Sequence, residues 1–403
     1  MNDGPVGSDI TVDVTVIGAG LVGKPLALAL SRLGFRVVLV DRRGSDDASP
    51  ATDRLDQRCT ALSAGTVDWL SEHDLWFPEQ ADAHAIRQVH VSQRGYFGST
   101  RIDAADIERE ALGWTIENRR FSASMNAPLE ASDVRVLLDR HVQSVSQDDA
   151  SVTLELAVSH TTDVAERVNT RLLVLADGVR SATASLLGIG STETPHHQWA
   201  SLTTVRVDQD HLGVARERFT DSGPLALLPR PGRVLSVVAC HDESQKQDIE
   251  SLDDAGFRAW LAARLPSRCG RPLELGPRTL LPLSRVEADT QWLGRSVLIG
   301  NAARLLHPVA GQGYNLALRD VAGLADALSS VPDPGDPSVL ETWVSERRKD
   351  QRSTVTLTDG LARLFRGRSR LLGHARAGGL LALDLVSAAR REFVRKTTRG
   401  PLL

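Results

Sequence analysis

The apolar and polar positions organise the first fifty residues most clearly. Val12-Asp13-Val14-Thr15-Val16-Ile17 is a short β-branched run that ends at glycine, which predicts a buried parallel strand. Leu26, Ala29, Leu30 and Leu33 then recur at helical spacing and predict a helix over 21–33. Pro25 falls in its first turns, where a missing N–H costs little, and Gly34 closes it. Arg36-Val37-Val38-Leu39-Val40 predicts a second buried strand, ended by Asp41. This strand–helix–strand order is the start of a doubly wound α/β sheet.

Further along, 44–54 is a polar, acidic loop and 63–73 carries a helical pattern. The stretch 80–102 mixes short strand-like runs with turns, and 134–145 suits either helix or strand. Strands are predicted over 151–158 and 171–176, the latter leading into Asp177-Gly178. From 202 to 241 the pattern is β-rich, with runs at 203–207, 225–228 and 234–239. His196-His197 has no further ligand at useful spacing and reads as a polar loop. Another buried strand is expected at 295–299, a long helix from Gly313 to Leu328, and helices beyond the prolines at 332, 334 and 337.

Composition narrows the class. The 403 residues are 41% apolar and 24% charged, too apolar for a disordered chain, and a net charge of −4 argues against a dedicated nucleic-acid binder. No apolar run reaches the roughly eighteen residues of a membrane span, and Met1–Asp9 lacks a secretory pattern. Cys59, Cys240 and Cys269 are odd in number and far apart, which points to a reducing, cytoplasmic setting without disulfides. No CxxC, HxxxH or HxxE spacing offers a metal site. The charge is uneven. From Arg363 onward ten basic residues face two acidic ones, net +8, which leaves −12 for the first 362 residues.

The glycine triplet carries the first chemistry. Gly18 permits a tight turn out of the strand, Gly20 lets backbone N–H groups approach a pyrophosphate, and Gly23 lets helix and strand pack closely. Asp41, at the end of the second strand, can accept hydrogen bonds from ribose hydroxyls. Flanking strand, helix and terminal acid together make the glycine motif specific. Two further motifs each follow a predicted strand: Asp177-Gly178 and Gly300-Asn301.

Gly18-x-Gly20-x-x-Gly23-x-x-x-Ala27-x-x-Leu30-x-x-x-Gly34-x-x-Val37-x-x-x-Asp41 resembles the extended ADP-binding pattern of flavoprotein hydroxylases, with Asp where Glu is usual. Asp177-Gly178 resembles that group's second motif, which serves flavin and nicotinamide phosphates. Gly300-Asn301 stands where its third motif has Gly-Asp, whose acid binds the ribityl chain. The stretch from Gly300 through His307-Pro308-Val309-Ala310-Gly311-Gln312-Gly313-Tyr314-Asn315 to Asp320 resembles the hydroxylases of ubiquinone biosynthesis. Arg58-Cys59-Thr60-Ala61-Leu62-Ser63 and Glu217-Arg218-Phe219-Thr220 with Gly223-Pro224-Leu225-Ala226-Leu227-Leu228-Pro229 agree with it. The chain departs at Ser122 and Ala123, where the family has Gln then Arg, and at Arg304.

The resemblance implies a Rossmann-like FAD-binding domain of the p-hydroxybenzoate hydroxylase type, assembled from 9–79, 104–190 and 285–350. A β-sheet substrate domain would come from 80–103 and 191–284, and a C-terminal helical region from 351–403. It implies FAD with NADPH or NADH as reductant, O₂ activation at flavin C4a, and hydroxylation of a prenylated phenol. Gly18, Gly20, Gly23, Asp41, Arg58, Asp177, Gly178, Asn301, Gly311, Gln312, Gly313 and Asn315 would bind the cofactor. Gly311-Gln312-Gly313 at a helix start would let backbone lie against the flavin ring and stabilise negative charge on it. Pro308 would wall the ring, and His307 is a candidate acid–base group. The basic, partly apolar stretch 363–403 is a candidate contact for anionic lipid or a biosynthetic complex. Two other readings stay open: a hydroxylase of another phenol or ring position, and a non-catalytic FAD-fold protein that binds prenylated partners.

Overall fold

The N-terminal β-branched run is paired on both sides. In the computed structural model, which describes residues 8–44, 58–159, 161–307, 311–364, 370–386 and 392, Ser8–Ile17 lies parallel to Val37–Val40 on one side and to Val164–Leu175 on the other. Arg135–Leu137 and Ser296–Leu298 extend the same parallel sheet outward. Arg140–Gln147 and Val152–Val158 join it as an antiparallel meander, and Trp292–Leu293 completes eight strands. Val37–Val40 and the run Leu172–Leu175 are continuously apolar because both faces are covered. Leu172 and Val174 face the cluster that includes Leu26 and Leu30 of helix Gly23–Arg32, whereas Leu173 and Leu175 face a second cluster with Val38 and Val40.

The strand expected at 171–176 begins at Val164. Its first half alternates in burial and borrows its pairing from Val152–Val158, so it has no continuous apolar signal. The ambiguous stretch 134–145 resolves into two strands.

A nine-stranded sheet forms the second layer. Its central strand, Ser191–Val207, pairs with Val234–Asp242, Thr279–Ala288 and Pro272–Leu275. His196-His197 is therefore no free loop: it is a bulge inside that strand, with the register broken between Pro195 and Gln198 and His197 at φ +53°. Strands Gly223–Arg230, Val214–Thr220, Gln88–Gln93 and Ser99–Asp103 continue the sheet to its edge. One face buries Val205, Leu227, Leu235 and Val237 with Leu261 of helix Asp254–Ala262. The other face looks toward the nucleotide-binding layer.

A three-stranded sheet, Cys59–Ser63, Gly113–Glu117 and His84–Ile86, lies between the two. Arg230 ties the layers together, its Nη2 donating to Glu117 Oε2 at 2.6 Å. Arg304–Leu305 pairs with Val286 and Glu287, so the segment after the third motif is stitched to the substrate sheet. Helix Pro337–Leu364 packs on helix Gln312–Leu328. Helix Arg370–Leu385 lies on the sheet edge, where Thr100 Oγ1 donates to the Leu380 carbonyl and Arg101 N–H to Asp384. Among the described residues no helix is long and apolar enough to cross a membrane, and no cluster of ligands suits a metal.

Candidate active site

The three motifs, separated by nearly 300 residues, meet at the end of the parallel sheet. Gly18 adopts φ +105°, and a Cβ there would meet the Ala176 carbonyl oxygen at 2.6 Å. The glycine turn is therefore packed on the residue that precedes Asp177-Gly178. A Cβ on Gly23 would run into the Gly18 carbonyl. Gly300, at φ +60°, leaves only 3.1 Å to Val22. Tyr314 donates its hydroxyl to the Leu21 carbonyl at 2.8 Å, which joins the start of helix Gln312–Leu328 to the same turn.

Asp41 has a defined task. Its Oδ2 accepts from Ala19 N–H at 2.7 Å and its Oδ1 from Arg43 N–H at 2.8 Å. The carboxylate thus shapes the glycine turn from inside, and its remaining lone pairs are what a ribose could use. Asp177 Oδ2 accepts from Ser181 Oγ at 2.8 Å, while Oδ1 is buried with no partner. Burial pushes this carboxyl above the usual carboxylate range, against the hydrogen bonds from Ser181 and Thr183.

These residues fit FAD on their own geometry. A Cβ on Gly20, Gly178 or Gly313 would meet nothing within 4 Å, so open space lies over each motif. Asp177 Oδ1 and Asn118 Oδ1 are buried acceptors without partners, which suits a ligand rich in hydroxyl donors. Helix Gln312–Leu328 starts from Gly311 at φ +60° with no side-chain cap, leaving its first N–H groups for an electron-rich ring edge.

A cavity of about 440 Å³ opens between the layers. Arg58, Cys59, Asn118 and Asn301 line one wall, and Leu202 and Val238 the sheet wall opposite. Arg58 and Asn301, both expected to bind the cofactor, stand on the same wall. Leu305 and Leu306 also line the cavity, but His307 does not. His307 is 2% exposed and its ring packs edge-on against His196, with centroids 5.0 Å apart. His307 thus packs its loop against the bulged strand. Pro308 lies outside the described residues, as do most of the acidic loop at 44–54 and the tail's basic cluster from Arg390 onward.

Asn315, also expected at the cofactor, turns its side chain inward. Its side chain is 2% exposed and fully bonded within the protein. Oδ1 accepts from Ser63 N–H at 2.8 Å and Thr66 Oγ1 at 2.9 Å. Nδ2 donates to the Ala61 carbonyl at 2.8 Å and the Gly311 carbonyl at 3.1 Å. The side chain clamps the glycine loop to strand Cys59–Ser63.

Several contributors carry no linear signal. Ser122, at a departure from the family pattern, offers its carbonyl to Lys24 Nζ at 2.9 Å, and Asn126 Oδ1 takes the same ammonium at 2.6 Å. Burial holds the Lys24 pKa below the usual range, with Asp41 opposing. Arg304, the other departure, is tied to a buried charge cluster. Its Nη1 lies 3.5 Å from Asp320 Oδ2, and Arg347 Nε donates to Asp320 Oδ1 at 2.7 Å. Arg347 also reaches Asp350 at 2.6 Å, as Arg319 does at 3.0 Å. Only the fold shows that these charges compensate one another.

A dinucleotide turn, two further motifs packed on it and a cavity against a β-sheet define an FAD-binding fold of the aromatic-hydroxylase class. A family model described as FAD binding domain matches residues 11–358, and the chain belongs to that family of flavin-dependent monooxygenases. It is 32% identical over 399 residues to ubiquinone hydroxylase UbiL of Rhodospirillum rubrum, covering 97% of this chain and 91% of the relative. It is 27% identical to 3-demethoxyubiquinol 3-hydroxylase of Escherichia coli, covering 95% and 97%. The human ubiquinone biosynthesis monooxygenase COQ6 is 25% identical, with 96% and 92% covered. Among solved structures, p-nitrophenol 4-monooxygenase PnpA of Pseudomonas putida superimposes with a TM-score of 0.79 at 20% identity, covering 98% of this chain and all of that one.

Proposed function

We propose that this FAD-dependent monooxygenase hydroxylates the aromatic ring of a prenylated phenol on the route to ubiquinone, with NADPH or NADH as reductant. The observation that carries the reading is the cavity: Asn301 of the third motif lines it beside Arg58 and Asn118, with the apolar sheet residues Leu202 and Val238, while the glycine turn packs on the second motif at Ala176–Asp177 and on Gly300 through Val22. The names of the relatives at 32% and 27% identity point to the same substrate class. Bound FAD supplies the electrons and the activation of O₂.

The chain's own residues position and protect. Gly18, Gly20 and Gly23 bring backbone N–H groups to the pyrophosphate. Asp177 and Asn118 accept from the cofactor's hydroxyls through their unpartnered oxygens. The start of helix Gln312–Leu328 faces the ring and favours negative charge there. Leu202, Val238 and Leu281 form a wall that keeps water from the reacting centre. Arg58 stands at the cavity and pairs with phosphate or substrate. Residues 363–403, net +8, are the contact with an anionic bilayer or a biosynthetic complex at the cytoplasmic face.

The deciding experiment is metabolite analysis of a deletion strain together with FAD reconstitution of purified protein. The reading expects a yellow holoenzyme and an accumulated, under-hydroxylated prenyl phenol. No flavin spectrum after reconstitution, or no such precursor, would refute it. NAD(P)H consumption that never yields hydroxylated product would favour the non-catalytic alternative.

A further inference from the structure

One row of residues crosses seven strands of the nine-stranded sheet on its cavity face. Thr279 and Leu202 are direct partners, as are Leu202 and Val238, Val238 and Ala226, Ala226 and Glu217, Glu217 and Val91, and Val91 and Thr100. Directly paired residues point to the same face. Thr279, Leu202 and Val238 line the cavity. Thr100, at the other end, lies under helix Arg370–Leu385. Glu217 stands between the two, about 10 Å along the sheet from Val238, with only the methyl group of Ala226 intervening.

Its surroundings are unusual for a carboxyl. Oε1 is sealed from solvent and has no hydrogen-bond partner. Gln93, diagonal to it on the same face, has a buried and unpartnered Oε1 too. Two buried acceptors side by side lack a donor, and a protein seldom leaves such a pair without one. A phenol bound across Ala226 would bring a hydroxyl hydrogen to that spot.

We propose that Glu217 is a catalytic residue that receives the phenolic hydroxyl of the substrate, by hydrogen bond and then by proton transfer, with Gln93 helping to orient it. The inference rests on the function proposed above. In the step, the substrate O–H bond breaks as an O–H bond forms at the carboxylate. The electron pair stays on the phenolate oxygen, so the ring becomes more electron-rich for oxygen attack. The proton returns to solvent when product leaves.

The electrostatics agree. Burial, with no nearby cation, pushes the Glu217 carboxyl up to about 7. A base with that value is well matched to neutral pH. Cys240, on strand Val234–Asp242, has a thiol pushed up by burial and by the Glu217 charge. The facing residues of the other flanking strands are Ala226, Val91 and Thr100, none of which titrates. On helix Arg370–Leu385, His374 packs on Tyr96, Asp384 holds the Arg101 N–H, and Arg376 is buried with a partner of its own.

The test uses FAD-loaded full-length protein and 2-geranylphenol as probe, first without reductant. Binding by calorimetry should strengthen about tenfold between about pH 6 and about pH 8, as the carboxyl with its value near 7 ionises. Glu217→Gln should bind with no such pH dependence, and hydroxylation under NAD(P)H should fall at least about 100-fold in kcat with FAD content unchanged. Glu217→Asp should keep the pH dependence at lower affinity. Ala226→Leu, which leaves the carboxyl in place but blocks the route to it, should also remove the pH dependence. Wild-type binding that is flat with pH, no binding of the probe at all, or Glu217→Gln turning over within twofold of wild type would each overturn the proposal. A wild type that binds with the expected pH dependence but hydroxylates no prenyl phenol would instead overturn the proposed function and leave the Glu217 contact standing.

Discussion

Asn315→Ala probes the clamp beneath the flavin loop. The side chain makes four hydrogen bonds inside the protein, to Ser63, Thr66, Ala61 and Gly311, at 2.8–3.1 Å. Removing it strands two donors and two acceptors in a site where Asn315 is 2% exposed. At about 1 kcal/mol net for each neutral bond, the loss is about 3–4 kcal/mol, reduced if a water enters the space. The damage has a direction, because Gly311 is both a partner of Asn315 and the residue from which helix Gln312–Leu328 starts. Loosening it lets the loop move and should weaken FAD binding about tenfold or more. Urea unfolding followed by tryptophan fluorescence measures the first effect, since Trp69 lies in the helix that Asn315 holds through Thr66 and Trp114 in the strand paired with Cys59–Ser63. FAD titration by flavin fluorescence measures the second. Thr66→Val removes one of the four bonds and should cost about 1 kcal/mol. Its effect in the Asn315→Ala background should be much smaller, since the shared bond is already gone. An Asn315→Ala protein within about 0.5 kcal/mol of wild type and within twofold in FAD affinity would refute the clamp.

Other substitutions sort the remaining roles. Gly23→Ala should abolish FAD binding, because its Cβ would collide with the Gly18 carbonyl; Gly20→Ala, with open space around it, should fold normally and lose affinity for FAD only, as thermal melts with and without FAD would show. Arg347→Met takes from the buried Asp320 and Asp350 the nearer of their two arginines, leaving Arg304 at 3.5 Å and Arg319 at 3.0 Å, and should destabilise the protein by about 3 kcal/mol in urea unfolding, whereas Arg36→Met, at a pair whose arginine is 63% exposed, should change it little. Asp177→Asn tests a sign. Burial raises the folded carboxyl's pKa above the unfolded value, so its stabilising contribution is complete below the unfolded pKa and is lost as pH rises through the folded pKa. The Asn variant of the FAD-free protein should therefore match wild type near pH 3.5 and be more stable at pH 7; equal stability at both, by denaturant midpoint, would contradict the burial argument.

The first fifty residues were legible because their physics is local. A strand covered on both faces must be apolar throughout, and a turn with φ +105° must be glycine, so Val12–Gly23 announces its own structure. The three motifs and the resemblance they carry identified the family and the cofactor for the same reason: backbone that approaches a phosphate leaves few choices of residue. What the linear pattern could not show is which side chains turn inward to one another. Asn315 stands in a cofactor motif, yet tertiary packing commits all its bonds to Ser63, Thr66, Ala61 and Gly311. His307, before a proline, reads as a turn residue or an acid–base candidate, and only the fold packs its ring on the bulge at His196-His197. Arg304 looked like an anomaly until Asp320 was found against it. Glu217 entered only as one residue of a stretch that resembles the family, and the register across the six other strands of its row puts it on the cavity face with its Oε1 unpartnered. Sequence determines what each residue can offer and the local shapes it permits. Partners more than a hundred residues away, and hence burial, charge compensation and access to the cavity, exist only once the sheets are assembled.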